Sequence, residues 1–226
     1  MNRTLKDGVW IIIMIAALII GIEVLNDRKY LFVSLCIALS SCGMVYSAYE
    51  RKRGGIRRMV LIAVLVAMAV VGRCIFAPVP GFTPVAAIAI ISAVYLGAEP
   101  GFIVGSLTAL VSDIFFGIGP WTPFQMCAWG IVGMGAGIPF IRKHFSGKIP
   151  VLIYGALSGA VYSVIMDIWT VLSIDGTFNF SRYVGAFVTS VPFIFIYAIS
   201  NIIFLAVLYR PIGKKLLRMN KKHCIF

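Results

Sequence analysis

The chain has 226 residues, of which 61% are hydrophobic and 12% are charged, and its formal net charge is +12. A soluble domain is about half apolar and about one quarter charged, so this composition excludes a soluble protein and indicates one that lies almost entirely in a bilayer. The charge alone would suggest a nucleic-acid partner, but the basic residues cluster on one face of an alternating membrane topology. We therefore attribute the charge to the positive-inside rule, with anionic lipid headgroups as neighbours and no nucleic acid as a partner.

In chain order, eight apolar segments are long enough, or nearly so, to cross a bilayer as helices. They cover residues 9–25, 30–49, 57–76, 84–98, 101–116, 123–141, 150–172 and 184–209. An even number of spans, together with the charge pattern, places both termini in the cytoplasm. The predicted fold class is an all-α integral membrane protein.

The strongest internal boundary is the basic segment 51–58, which we predict to be a cytoplasmic linker. It separates an N-terminal transmembrane hairpin (1–50) from a six-helix core (57–209), and a basic cytoplasmic tail (210–226) follows. The core contains most of the Gly, Pro and intramembrane polar residues. We therefore expect the function to lie in the core.

Several catalytic motifs are missing from the sequence. No phosphate-binding Gly-Lys-Ser/Thr loop is present, so ATP hydrolysis by this chain is excluded. The two His, His144 and His223, lie in basic segments, and no Ser occupies a Gly-x-Ser-x-Gly motif. The five Cys lack CxxC spacing, and we interpret them as small buried apolar residues. We predict a protein that is not an enzyme and that binds neither a metal nor a cofactor.

The segment 117–130 interrupts the apolar spans with irregular backbone. Pro120 and Pro123 cannot both lie inside one helix, because each lacks an amide donor and clashes with the preceding turn. Irregular backbone at membrane depth is tolerated only where protein covers it or a polar cavity receives it. Gln125 and Trp129 follow four residues apart and share a helix face. The segment therefore has the properties of a binding-site wall.

Other polar and irregular features lie on the same predicted outer face, including the loops 77–83 and 173–183. Arg73, Asp113 and Asp167 lie toward the outer ends of their spans, where they could form a structural ion pair, a polar site lining, or both. We expect one small-molecule site there. The predicted substrate-binding residues are Arg73, Phe82, Asp113, Trp121, Thr122, Phe124, Gln125, Trp129, Tyr162, Asp167, Asn179 and Tyr183.

Several core motifs resemble those of a known family. They are Gly72-Arg73, Pro84 before an Ala-rich helix, Leu96-Gly97-Ala98-Glu99-Pro100-Gly101-Phe102, Gly105, Leu110-Val111-Ser112-Asp113-Ile114-Phe115-Phe116-Gly117 and Gly119-Pro120-Trp121-Thr122-Pro123-Phe124-Gln125-Met126. Residues 57–209 resemble the substrate-binding S component of energy-coupling factor (ECF) vitamin transporters, most closely the cobalamin-specific branch. The pair Ala63 and Ala67 matches the alanine motif of that family in place and orientation.

The resemblance implies a multi-pass protein of a prokaryotic cell membrane that captures a vitamin, with cobalamin as the first candidate, from outside the cell. The loops 77–83, 117–123 and 173–183 would frame the site. Ala63 and Ala67 would dock on the ECF transmembrane subunit, and two ATPase subunits would supply the energy. The N-terminal hairpin departs from the six helices typical of the family.

Three alternatives remain open at this point. The ligand could be another one taken up by the same family: a queuosine precursor, riboflavin, folate or biotin. An intramembrane enzyme would have to rely on Asp113 and Asp167, which lack a metal-ligand complement. A self-sufficient secondary transporter would predict inverted repeats and helices broken at the midplane, and the sequence offers no convincing repeat.

Overall fold

The computed structural model describes residues 55–145 and 147–223, so the predicted N-terminal hairpin lies outside the described residues. Within these ranges the chain forms seven helices and no strand. They are α1 (Gly55–Ile75), α2 (Val85–Leu96), α3 (Ala98–Phe116), α4 (Thr122–Gly137), α5 (Pro139–Arg142), α6 (Lys148–Asp175) and α7 (Phe180–His223). Four of them, α1, α3, α6 and α7, are long and apolar enough to cross a membrane. This confirms the all-helical fold class for the described residues, with helices suited to cross a membrane, whereas the count of eight spans stays a prediction.

Proline marks where several helices begin. Pro100, Pro123, Pro139 and Pro150 each lie within the first three residues of a helix. The amides of a first turn have no intrahelical acceptor, so the missing N–H of Pro costs nothing there. Proline also disfavours a helical conformation at the residue before it. Ile138, which precedes Pro139, is therefore extended and divides the predicted span 123–141 into α4 and α5.

The last helix is longer than predicted. It contains Pro192 and Pro211 and continues to His223, so residues 210–223 of the predicted tail are helical. Hydroxyl groups supply backbone hydrogen bonds near the first proline, since Thr189 Oγ1 donates to the Ala186 carbonyl at 2.8 Å. Such side-chain donors help a helix in lipid to accept an internal Pro.

Small residues allow α3 and α4 to pack at backbone contact. A Cβ added to Gly105 would overlap the Trp129 carbonyl, and one added to Gly133 would overlap the Gly101 carbonyl. Ser106 Oγ also donates to the Met126 carbonyl at 2.9 Å. In lipid, such close approach lets helices gain van der Waals contact where no hydrophobic force drives them together.

The two ends of the bundle differ in charge. At one end, which we call the loop end, lie the loops 76–84, 117–121 and 176–179. Of the Lys and Arg in the described residues, only Arg73 and Arg182 lie at the loop end. The others lie at the opposite end, where Arg58 Nη2 donates to the Leu96 carbonyl at 3.3 Å. This separation has the form that the positive-inside rule predicts for a protein with the loop end outside.

The loop 76–84 packs deep against the last helix. Thr83 N donates to Ser200 Oγ at 2.9 Å. Ser200 lies about 30 Å along α7 from its first residue, at 1.5 Å per residue. The rings of Phe76 and Phe82 also contact Phe204, with centroids 5.0 Å and 4.9 Å away. The hairpin of α6 and α7 therefore extends well beyond this loop.

Candidate functional site

Arg73 connects three helices at the loop end. It lies in the last turn of α1, and its Nη1 donates to Asp113 Oδ1 of α3 at 2.8 Å and to Ser112 Oγ. Its Nη2 donates to Gln125 Oε1 of α4 at 3.3 Å. The side chain of Arg73 is 17% exposed and that of Asp113 is 1% exposed. The two predicted site residues thus form a largely buried ion pair, which was one of the two interpretations left open by the sequence.

Aromatic rings continue this network toward α7. The Arg73 guanidinium carbon lies 4.8 Å from the Trp129 ring centroid and 4.9 Å from that of Phe116. Trp129 stacks on Tyr162 of α6 at 5.3 Å, and Tyr162 meets the edge of Tyr197 at 5.1 Å. A guanidinium over an aromatic face gains electrostatic attraction, which is larger where water is excluded. The row of rings therefore joins α4, α6 and α7 to the ion pair.

The loop 117–121 is fixed by the same carboxylate. Asp113 Oδ2 accepts a hydrogen bond from Thr122 Oγ1 at 2.6 Å, and Thr122 Oγ1 accepts one from Gly119 N at 3.2 Å. The chain leaves α3 through Gly117 at φ 101, a left-handed conformation that favours glycine. The ring of Trp121 covers Gly119 and remains 37% exposed. The predicted break in the helix is confirmed, and it displays an exposed indole at the loop end.

Gln125 presents its amide nitrogen away from Arg73. Because Nη2 of Arg73 can only donate, the amide must direct its oxygen to the guanidinium. Its Nε2 then carries two donors that no hydrogen bond within the described residues uses. The half-buried Gln125 therefore offers donors to an acceptor group at the loop end.

Asp167 forms a separate polar group between α6 and α7. Asp167 is 6% exposed, and its Oδ2 accepts a hydrogen bond from Ser190 Oγ at 2.9 Å. Tyr183 and Tyr197 lie two turns before and two turns after Ser190, on the same face of α7. The two Arg–Asp ion pairs at this end of the bundle, Arg73–Asp113 and Arg182–Asp175, do not include Asp167.

The remaining predicted residues have structural surroundings of their own. Phe82 packs on Phe76 at 5.4 Å, and Phe124 is fully buried against Trp169 of α6 at 5.5 Å. Asn179 Oδ1 accepts from Arg182 N at 3.2 Å at the start of α7. The Tyr183 hydroxyl donates to the Val164 carbonyl at 3.2 Å. Six of the predicted residues form one connected network in the structure: Arg73, Asp113, Thr122, Gln125, Trp129 and Tyr162.

Some residues of the site were not predicted. Ser112 and Phe116 contact Arg73, and Ser190 and Tyr197 line the α6–α7 interface. The sequence contained a signal for Ser190 and Tyr197. Together with Tyr183 they recur every seven residues, which is two turns along one helix face. Ser112 lies beside Asp113 and shows no comparable pattern.

The alanine pair and the cysteines have different positions. Ala63 and Ala67 are both exposed on α1, whereas Leu61 and Leu65 of the same helix are buried.

Cys127 is buried, as predicted for the cysteines, but Cys74 is exposed on α1 and so does not follow that prediction.

The chain is thus an all-helical bundle, four of whose described helices are suited to cross a membrane, with a polar and aromatic site at one end. Residues 54–218 match DUF6580, a family of unknown function, and the chain belongs to that family. No curated protein and no solved structure matches the chain.

Proposed function

We propose that the chain is the substrate-binding subunit, or S component, of an ECF-type importer. In this role it captures a vitamin from outside the cell and delivers it inward together with a transmembrane partner and two ATPase subunits. The motif resemblance in residues 57–209 motivates the assignment. The observation that carries the proposal is the network of Arg73, Asp113, Gln125, Trp129 and Tyr162 at the loop end, opposite the basic end.

The network has the properties of a preorganised binding surface. Its donors and rings are held by contacts between helices, so little conformational entropy is lost when a ligand binds. Ligand sites combine aromatic walls with a few fixed polar groups, and here Trp121, Trp129 and the Gln125 amide are such groups. The loop 76–84 lies deeper than the α6–α7 hairpin, which supports entry of a ligand from the loop end.

Cobalamin is the first candidate ligand. It is large and carries many amide groups, so its site should be broad and rich in aromatic and amide side chains. The exposed Trp121 and the free donors of Gln125 fit that description. A queuosine precursor or riboflavin is planar and would stack on the aromatic side chains of the site, first on the exposed ring of Trp121.

The partner surface that we propose is the outer face of α1. Ala63 and Ala67 lie one turn apart and are both exposed. Small side chains let a second helix approach closely in lipid, which suits docking on a transmembrane subunit.

The experiment is ligand binding by the purified chain in detergent, measured by calorimetry with cobalamin, riboflavin and a queuosine precursor. One of them should bind saturably, and Trp121→Ala or Gln125→Ala should weaken that binding by about tenfold or more, at an unchanged yield of folded protein. Phe180→Ala is the matched control, since Phe180 is an apolar residue of the loop end that is 70% exposed and outside the network. Saturable binding that is equal in all variants would refute the site, and no binding of any vitamin would refute the function.

A further inference from the structure

The charges of the loop end do not cancel. Arg73 neutralises Asp113 at 2.8 Å, and Arg182 Nε lies 2.5 Å from Asp175 Oδ2. These two arginines are the only basic side chains at the loop end within the described residues, and each has its own carboxylate. Asp167 remains as a third acidic group, buried between α6 and α7 without an ion pair to any described Lys or Arg.

A carboxylate in this position is costly. A charge taken out of water loses its hydration, and one hydroxyl donor such as Ser190 recovers only part of that loss. In a helix that crosses a membrane the cost is larger still, and ionisable residues there usually have a functional partner. A positively charged group placed beside Asp167 would compensate for that loss.

The surroundings of Asp167 favour an organic cation over an inorganic one. Hard metal ions need about six oxygen ligands, and the side chains here supply the Asp167 carboxylate and the Ser190 hydroxyl. Tyrosine rings share the Ser190 face of α7 instead, since Tyr183 and Tyr197 lie two turns before and two turns after Ser190, and Tyr197 contacts Tyr162. An ammonium group is attracted both by a carboxylate and by the faces of aromatic rings.

We propose that Asp167 recognises a positively charged organic group, such as an ammonium, of the ligand bound at the loop end. Ser190 orients the carboxylate, and Tyr197 and Tyr162 provide the aromatic faces beside it. This inference rests on the proposed function and specifies the class of substrate as a planar or ring-containing cation, which favours the queuosine precursor among the candidates above over the neutral cobalamin and riboflavin.

The test compares vitamins of known charge on the purified chain in detergent. The cationic probes are thiamine and the aminomethyl form of the deazaguanine queuosine precursor. The neutral probes are cobalamin, riboflavin and the cyano form of that precursor, which differs from the aminomethyl form in one charged group. Biotin and folate are the anionic probes.

The tightest-binding probe should be a cation, and Asp167→Asn should weaken it by about thirtyfold or more, because a buried charge pair loses one partner. Asn keeps the acceptor for Ser190, so the variant should fold. Without ligand, Asp167→Asn should melt at the same or a higher temperature than the unaltered chain, since it removes an uncompensated charge.

Each other outcome overturns the inference. Tightest binding of a neutral or anionic vitamin, unchanged by Asp167→Asn, would refute the cation while leaving the proposed function intact. A lower melting temperature of the ligand-free variant would show that Asp167 already has a cationic partner. Binding that requires Na⁺ and loses this requirement in Asp167→Asn would assign the carboxylate to an inorganic ion. No binding of any probe would refute both proposals.

Discussion

Replacing Asp113 by Asn should destabilise the bundle, because the change removes the charge that compensates a largely buried guanidinium. Asp113 is 1% exposed at its side chain, and its partner Arg73 is 17% exposed. Breaking a buried ion pair by removing one partner costs about 3–5 kcal/mol. Asn can still accept from Thr122, and Arg73 keeps a little contact with solvent, so we expect the lower end of that range, about 3 kcal/mol.

The chain contains a matched control for this prediction. Arg182 and Asp175 form a second Arg–Asp pair at the same end, but their side chains are 50% and 19% exposed. Exposed pairs contribute about 0–1 kcal/mol, because water screens the attraction. Asp175→Asn should therefore change stability by less than one third of the effect of Asp113→Asn.

Thermal unfolding in detergent, followed by loss of monodisperse protein, measures the difference. At about 2–4 °C per kcal/mol for a chain of this size, Asp113→Asn should lower the melting temperature by about 6 °C or more. Adding Arg73→Met to Asp113→Asn should recover part of the loss, since no uncompensated charge remains. Equal shifts for Asp113→Asn and Asp175→Asn, or a further loss in the double variant, would refute the reasoning.

Two further predictions concern helix packing and docking. Gly105→Ala should lower the free energy of unfolding by about 3 kcal/mol, because its Cβ would overlap the Trp129 carbonyl and backbone cannot move aside cheaply. Gly147→Ala is the control in the same melting assay, and it should be tolerated because no described atom lies within 4 Å of its Cβ. Ala63→Trp or Ala67→Trp should leave ligand binding by the isolated chain unchanged and abolish uptake when the partner subunits are present. Undiminished uptake by either Trp variant would contradict the proposed docking face.

The helices of the core were predictable where local chemistry sets their ends. Pro100 and Pro123 mark helix starts because the first turn does not need their amides, and the φ of 107 at Gly97 separates α2 from α3 with a single residue. Pro192 and Pro211 did not end α7, because Pro in a long apolar helix can be tolerated when nearby side chains supply donors. The continuation of α7 into the basic segment depends on packing, since Ile212 and Leu216 are buried.

The site was predictable in its residue types and less so in its pairings. Helix periodicity placed Gln125 and Trp129 on one face, but the partner of each came from another helix. Phe124 directly precedes Gln125 in sequence and faces the apolar core instead, since its ring packs on Trp169. Residue spacing alone does not reveal which helix lies opposite a given face. The hydrogen bond between Asp113 and Thr122 could therefore be identified only from the structure.

The arrangement of charges bears on which residues can contact a ligand. Arg73 was an obvious candidate to bind an anion, yet its Nη1 bonds Asp113 and Ser112, its Nη2 bonds Gln125, and two rings cover its faces. A guanidinium so fully engaged holds helices together and has little capacity left for a carboxylate or a phosphate. Among the described residues of the site, the Gln125 donors and the Asp167 acceptor keep unused capacity. An acceptor on the proposed ligand would suit Gln125 and a positive charge would suit Asp167, which disfavours an anionic vitamin.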